Sequence, residues 1–186
     1  MTRAELKTLA KSQIKGNIGI LFVMNLVVGV ICGIPLAGFI LGPGLGLSMS
    51  MAYLGLTYGQ KPELEDLIKG LKKLGKAWCL SLLVGIFTFL WTLLLWIPGI
   101  IKAISYSMSF FILADDPELT ALEALNISKE ITKGHKMDIF VLSLSFIGWM
   151  LLGVVTFGLA MIYVVPYMET TMANFYQTIK RPVTLD

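Results

Sequence analysis

The feature that most constrains this chain is a series of long apolar runs, each able to enter a bilayer. The first, residues 17–41, holds about 25 residues without a charged side chain. Because a helix rises about 1.5 Å per residue, about 20 such residues cross a hydrocarbon core of roughly 30 Å. Of all residues, 56% are hydrophobic and 15% charged, against about 25% charged in soluble domains. The sequence therefore predicts an integral membrane protein.

The apolar runs predict an all-α membrane protein with six transmembrane helices. The predicted spans are residues 17–41, 45–58, 77–97, 100–114, 137–155 and 159–176. The first is longer than the apolar part of a signal peptide, and no A-x-A-like site follows it, so we interpret it as a retained helix. Gly and Pro mark turns, which predicts three hairpins that turn at residues 42–44, 98–99 and 156–158. Alternatively, Pro35 bends the end of the first span, and residues 35–44 form an irregular re-entry.

An amphipathic segment precedes each hairpin, at residues 2–15, 60–76 and 120–134. Thr2 with Glu5, and Thr120 with Glu123, form capping-box patterns, and Asp116 before Pro117 offers another start for the third segment. Each segment has lysines on one side and apolar residues on the other. That pattern is typical of helices that lie in a membrane interface, so we expect three interfacial helices.

Glycines at a fixed spacing indicate an internal repeat. Gly16, Gly75 and Gly134 follow one another at 59 residues, as do Gly99 and Gly158. The unit is an interfacial helix, a span, an uncharged turn and a span. We predict a single membrane domain of residues 1–178, with parallel repeat units at approximately 1–59, 60–116 and 117–178, and a short cytoplasmic tail of residues 179–186.

The distribution of basic residues predicts the orientation. Thirteen of the fifteen Lys and Arg residues lie in the interfacial segments or the tail, and Lys136 follows the third segment after one residue, so Lys102 is the exception. The positive-inside rule then places both termini in the cytoplasm. Near that surface a lysine attracts anionic lipid by about 1 kcal/mol. The candidates for this contact with membrane lipids are Lys69, Lys72, Lys73, Lys76, Lys133 and Lys136.

No enzyme motif of the HExxH, GxSxG or phosphate-loop type occurs in the sequence. We therefore predict no catalytic residue, no metal, no cofactor and no nucleic-acid binding. The pair Asp115-Asp116 is interpreted as a helix cap, and His135 as an interfacial residue without a catalytic role. Cys32 and Cys79 lie in apolar segments without a nearby His or Cys, so we expect both to be small buried residues.

Ionisable residues within the spans are the candidates for function, because they are costly in a membrane. Lys102 and Glu169 could be the charged poles of a polar cavity between the fourth and sixth spans. Alternatively, Lys102 is an interface anchor, and Glu169 is bound to hydroxyl groups or to a lysine. The full candidate set is Lys102, Ser105, Tyr106, Ser109, Tyr163, Tyr167, Glu169 and Thr170.

Several motifs in residues 97–176 resemble a family of small bacterial integral membrane proteins, the domain of unknown function 975. They are Ile97-Pro98-Gly99-Ile100-Ile101-Lys102, Tyr106-Ser107, Ala114-Asp115-Asp116-Pro117, Glu123-Ala124, Lys133-Gly134-His135-Lys136, Leu144-Ser145-Phe146-Ile147-Gly148-Trp149 and Pro166-Tyr167. The resemblance extends over about residues 1–178, with only hydropathy and layout matching in the first third. It implies a polytopic protein of the bacterial cytoplasmic membrane and supplies no catalytic residues.

Two classes of function remain open from the sequence. The first is a non-enzymatic structural or accessory protein that contacts the cytoplasmic leaflet, a membrane-protein partner or a second copy of itself. The second is a transporter or binding protein for a small amphiphile, peptide or lipid, with its cavity between the fourth and sixth spans. The low ionisable content of the spans favours the first class.

Overall fold

The computed structural model describes residues 2–94, 96–156 and 158–180, without the side chains of residues 93–94 and 96–98, and its regular structure there is all helical. The helices are α1 (Arg3–Ile14), α2 (Ile18–Gly33), α3 (Pro35–Thr57), α4 (Asp66–Leu71), α5 (Leu74–Leu94), α6 (Trp96–Tyr106), α7 (Ser109–Asp115), α8 (Ala121–Ile131), α9 (Lys136–Leu144), α10 (Ile147–Val155) and α11 (Met161–Ile179). The all-α prediction is confirmed for this part of the chain.

Three hairpins carry exposed apolar side chains near their turns, which we call the tips. The first hairpin is α2 with α3, the second α5 with α6, and the third α9 and α10 with α11. Large apolar side chains at the tips are mostly open to the surroundings, including Leu36 (71%), Val155 (75%) and Leu159 (72%). We call the part of the protein formed by α1, α4 and α8, with the helix ends that pack on them, the base.

Three helical segments are long and apolar enough to cross a membrane: Pro35–Thr57, Leu74–Thr92 and Lys136–Val155. α1 and α2 would form a fourth if counted together, although the chain bends by 91° between them. The predicted fourth span is interrupted at residues 107–108 and forms α6 and α7, of 11 and 7 residues. By length and composition, the described part of the chain thus has three to four candidate spans.

The first hairpin turns earlier than the sequence predicts. Its turn is at Ile34, and Pro35 occupies the first helical position, where proline needs no hydrogen-bond partner. A Cβ atom on Gly38 would lie 2.5 Å from the Cys32 carbonyl oxygen, so the turn requires glycine there. The turn predicted at residues 42–44 is wrong, because Pro43 lies inside the continuous helix α3.

The second hairpin also differs from its prediction. Gly99 lies inside α6 and not in a turn at residues 98–99. A Cβ atom on Gly99 would lie 2.4 Å from Thr92 Oγ1 and 2.8 Å from Thr92 Cα, so this glycine allows α6 to approach α5 closely. In the third hairpin, Gly158 has φ +89°, which agrees with the predicted turn. Phe157 of that turn and residues 181–186 of the tail lie outside the described residues.

Both capping boxes form as predicted. The Thr2 hydroxyl accepts from the Glu5 amide, and Thr120 and Glu123 make the same pair at the start of α8. The alternative start at Asp116 is wrong. Asp116 instead ends α7, and its carboxylate accepts from the Glu118 amide. The second amphipathic segment is helical over a shorter stretch than expected, since α4 has only 6 residues.

Protein covers the apolar faces of two of the predicted interfacial helices. Leu6, Ala10 and Ile14 of α1 are fully buried, and α1 packs on α11. Ala124 and Leu125 of α8 are buried, and that helix packs on α5 and α7. In the second segment, by contrast, two apolar side chains remain about half exposed, Leu64 (48%) and Ile68 (55%).

The core surrounds the second half of α3. Leu47, Ala52 and Tyr53 of this helix are buried, and it packs against α2, α4, α5, α7 and α11. Two hydrogen bonds connect it to α4: the Ser48 hydroxyl donates to the Leu67 carbonyl at 2.7 Å and accepts from the Gly70 amide at 3.0 Å. This central helix therefore sets the positions of the elements that line the cavities described next.

Candidate functional site

The cavity around Glu169 is the clearest candidate site. It has a volume of about 340 Å³ and lies between α2, α3, α7 and α11. Its polar groups include Asn25, Tyr53, Ser107 and Glu169, and Phe110 is one of its aromatic walls. The site thus places one carboxylate opposite aromatic rings, where three separate hairpin segments meet.

Glu169 is half-buried and opens into this cavity. Among the described residues it has no ion pair and accepts no hydrogen bond. The neighbouring hydroxyl of Thr170 is buried and also has no partner in this part of the chain. The structural alternative predicts that tyrosine or threonine hydroxyls, or a lysine, bind Glu169. No described residue makes such a contact.

Lys102 lies in different surroundings. Its side chain is half-buried, and its Nζ atom is 4.5 Å from the centroid of the Trp91 ring. That distance is typical of a cation–π contact. α6 packs on α5, α8 and α9, whereas α11 packs on α1, α2 and α3. The helix packing therefore separates Lys102 from Glu169, and the prediction that they form two poles of one cavity is wrong.

The other candidates on the fourth span serve packing. Ser105 is buried, and its carbonyl oxygen accepts from the Ser128 hydroxyl of α8 at 2.8 Å. Tyr106 is buried with its ring 6.3 Å from that of Phe87. Ser109 is buried, and its hydroxyl has no partner among the described residues. The side chains of Ser105, Tyr106 and Ser109 thus face protein.

Tyr163 and Tyr167 belong to an aromatic cluster at the third hairpin. The Tyr167 ring is 5.2 Å from that of Phe146 and 5.9 Å from that of Trp149, both with edge-to-face geometry. Two lysines of α1 extend over these rings, with Lys7 Nζ 4.4 Å from the Phe146 centroid and Lys11 Nζ 5.4 Å from the Tyr167 centroid. The sequence pattern did not predict that α1 covers these tyrosines.

The lysines proposed to contact lipid are concentrated at the base, and several have protein partners. The pKa of Lys69 is raised by the hydrogen bond and charge of Asp66, 2.6 Å away. Lys73 pairs with Glu118 at 3.3 Å, and Lys76 donates to the carbonyl oxygens of residues 117 and 118. Lys72 and Lys133 are exposed, and Lys136 is half-exposed.

A cleft at the base was missed by the sequence reasoning. It has a volume of about 640 Å³ between the end of α3, the segment before α4 and the end of α7. Asp115 forms one wall, accepting from the hydroxyls of Tyr58 and Tyr176, both at 2.9 Å, and pairing with Lys180. Asp115 thus joins three helix ends, in addition to ending α7. No local sequence pattern indicates this long-range contact.

Two further predictions concern single residues. Cys32 and Cys79 are both exposed, so the expectation of buried cysteines is wrong. Cys32 lies near the first tip and Cys79 near the start of α5, and apolar neighbours in the sequence do not determine which face is covered. His135 lies at the surface, with Nδ1 3.5 Å from an Asp138 oxygen, and Asp138 also pairs with Arg3 at 3.0 Å.

Fold and site together define an all-helical protein. Its hairpins are apolar enough for a membrane, and its cavity holds one carboxylate among the described residues. Residues 93–182 match the model of a family described as Protein of unknown function (DUF975). The match confirms the family resemblance predicted from the motifs and includes α6 to α11. Residues 1–92 lie outside it. Neither a curated protein nor a solved structure matches the chain.

Proposed function

We propose that this chain is a multi-pass protein of the bacterial cytoplasmic membrane that catalyses no reaction and acts as a structural or accessory component, docking a partner at its base. The bacterial setting rests on the family resemblance. The observation that carries the proposal is the separation of apolar tips from a charged base. Apolar surface costs roughly 25 cal/mol per Å² in water, and lipid around the tips removes that cost.

We propose further that each hairpin crosses the membrane twice, giving six spans in three parallel repeats. The turn residues carry no charge, whereas the base holds nearly all Lys and Arg residues. α5, with 21 residues, rises about 31 Å, which is sufficient for a crossing. Both termini and the three surface helices α1, α4 and α8 are then cytoplasmic.

The composition of the base favours docking over transport. Its cleft is lined by both signs of charge, with Lys61, Lys72 and Lys73 among the basic residues and Glu63 and Asp66 among the acidic ones. The half-exposed apolar side chains Leu64 and Ile68 belong to the same segment as these lysines, which suits contact with an anionic leaflet or an amphipathic partner helix.

Cysteine labelling in whole cells tests the arrangement. The background carries Cys32→Ser and Cys79→Ser, and single cysteines replace Leu36 at the first tip or Leu159 at the third. Six spans predict that a membrane-impermeant maleimide labels both tip variants in intact cells. The matched control, Glu130→Cys on the exposed face of α8, is expected to react only after permeabilisation.

The contrary outcomes are distinct. Tip cysteines that react only after permeabilisation would place the tips on the cytoplasmic side and refute the crossings. Tip cysteines that remain protected until detergent is added would show that the hairpins end inside the bilayer, which refutes six spans while retaining membrane insertion.

A further inference from the structure

We propose that the cavity around Glu169 binds a lipophilic organic cation, a quaternary or protonated amine with an apolar substituent. The Glu169 carboxylate would neutralise the cation, and aromatic rings of α3 and α7 would hold its apolar part. This assignment goes beyond the proposed accessory role. The two proposals can fail independently, because the cysteines that test the membrane crossings lie outside the cavity.

The charge of the cavity is the first argument. Among the described residues that line the cavity, Glu169 is the one ionisable group apart from the Tyr53 phenol, and no described cation pairs with it. By contrast, Asp115 and Asp138 elsewhere in the chain each have a basic partner. A half-buried carboxylate without a partner is unfavourable where lipid surrounds the protein, and a cation in the same cavity removes that penalty.

The hydrogen-bond donors of the cavity give the second argument, because most are already in use. The Asn25 amide donates to the Leu21 carbonyl at 2.8 Å and to the Tyr53 hydroxyl at 2.7 Å. The Ser107 hydroxyl donates to Ile104. An anionic ligand would therefore find few free donors beside a repelling carboxylate, so the site favours positive charge.

The walls argue for an organic cation over a metal ion. Phe110, Phe111 and Tyr53 supply aromatic rings, and Met49 and Val165 supply aliphatic surface. Ring faces attract ammonium groups, whereas hard metal ions require about six oxygen ligands in a tight shell. The volume of about 340 Å³ is at the lower end of roughly 300–1,000 Å³ for small-ligand sites. The cavity thus suits a compact amine.

Calorimetric titration of the full chain in nanodiscs tests the assignment, with benzyltrimethylammonium as the probe. Empty nanodiscs correct for partition into lipid. We expect saturable binding that weakens at least tenfold in Glu169→Gln, which removes the charge but retains the shape. Phe110→Leu, which removes a ring but keeps the wall apolar, is expected to weaken binding severalfold. Glu130→Gln, which removes an exposed carboxylate on α8, is expected to bind as the wild type does.

A second measurement uses only the wild-type protein, so it does not depend on the folding of any variant. Neopentylbenzene has the shape of the probe without its charge and is expected not to compete for the wild-type site. Equal binding of this uncharged isostere would mean a merely apolar cavity and overturn the proposal. Unchanged affinity in Glu169→Gln, or no binding of the cation to the wild type, would overturn it as well.

Discussion

Replacing Gly70 by alanine should release α4 from the central helix. A Cβ atom at this position would lie 2.4 Å from the Gly44 carbonyl oxygen and 2.5 Å from both the amide nitrogen and the hydroxyl of Ser48. Two of these atoms belong to the backbone of α3 and cannot rotate away. The methyl group therefore fits only if α4 moves off α3.

The size of the effect follows from the contacts that α4 would lose. Extra carbon in a filled contact costs about 1–3 kcal/mol. Displacement would also break the two hydrogen bonds of Ser48 with α4, at about 1 kcal/mol each, and expose the buried Leu67 side chain. Relaxation of the structure around the new methyl group recovers part of these losses. We therefore expect the free energy of unfolding to fall by about 2–4 kcal/mol.

The measurement is equilibrium unfolding in mixed micelles, read by near-ultraviolet circular dichroism, together with limited proteolysis of residues 60–73. Gly75→Ala is the matched control, because nothing lies within 4 Å of a Cβ atom there and its backbone is not in the left-handed region. Alanine at position 75 should leave the free energy of unfolding unchanged or raise it slightly. If Gly70→Ala unfolds like Gly75→Ala, with the same proteolysis, the tight docking of α4 is refuted.

Three further substitutions test other contacts by the same unfolding assay. Gly99→Ala should destabilise the second hairpin by about 1–3 kcal/mol, because the new methyl group clashes with α5. The control Gly85→Ala meets nothing within 4 Å and should not destabilise the protein. Equal stabilities of the two variants would refute the close approach of α5 and α6. Thr120→Ala should cost about 1 kcal/mol by removing the cap of α8, and no loss would show that the cap is dispensable. Burial opposes the charge of Lys180, yet Asp115 raises the pKa of Lys180 above its usual 10.5. The ion pair therefore stabilises the fold at pH values below the usual pKa of lysine, and this stabilisation is lost as the pH rises through the raised pKa. The wild type should then be more stable than Lys180→Gln near neutral pH and equally stable at strongly alkaline pH.

The correct predictions concern interactions between residues that are close in the chain. The capping boxes of Thr2 and Thr120 connect residues three positions apart, so the residue types suffice to predict them. The left-handed turn at Gly158 likewise depends on one residue that tolerates a positive φ. The apolar runs predict helices for the same reason, since their periodicity and length are local properties.

The incorrect predictions concern residues whose role depends on distant partners. The sequence pattern predicts Pro43 in a turn, yet it lies within α3. Gly99 was assigned to a turn for its flexibility, whereas its small size allows α5 and α6 to pack. At Gly99 the residue type is informative, but a partner in another helix decides its use.

By itself the sequence determined that this protein is helical and apolar, that its charges are kept apart from its hairpin turns, and that its C-terminal part resembles one family. Only the tertiary structure decided that α1 covers the aromatic cluster, that Lys102 lies on Trp91, and that Glu169 faces a cavity without a described partner. The physical reason is that caps, turns and hydropathy act over a few residues. Burial and charge pairing depend instead on which helix faces meet, and packing across the whole chain determines that.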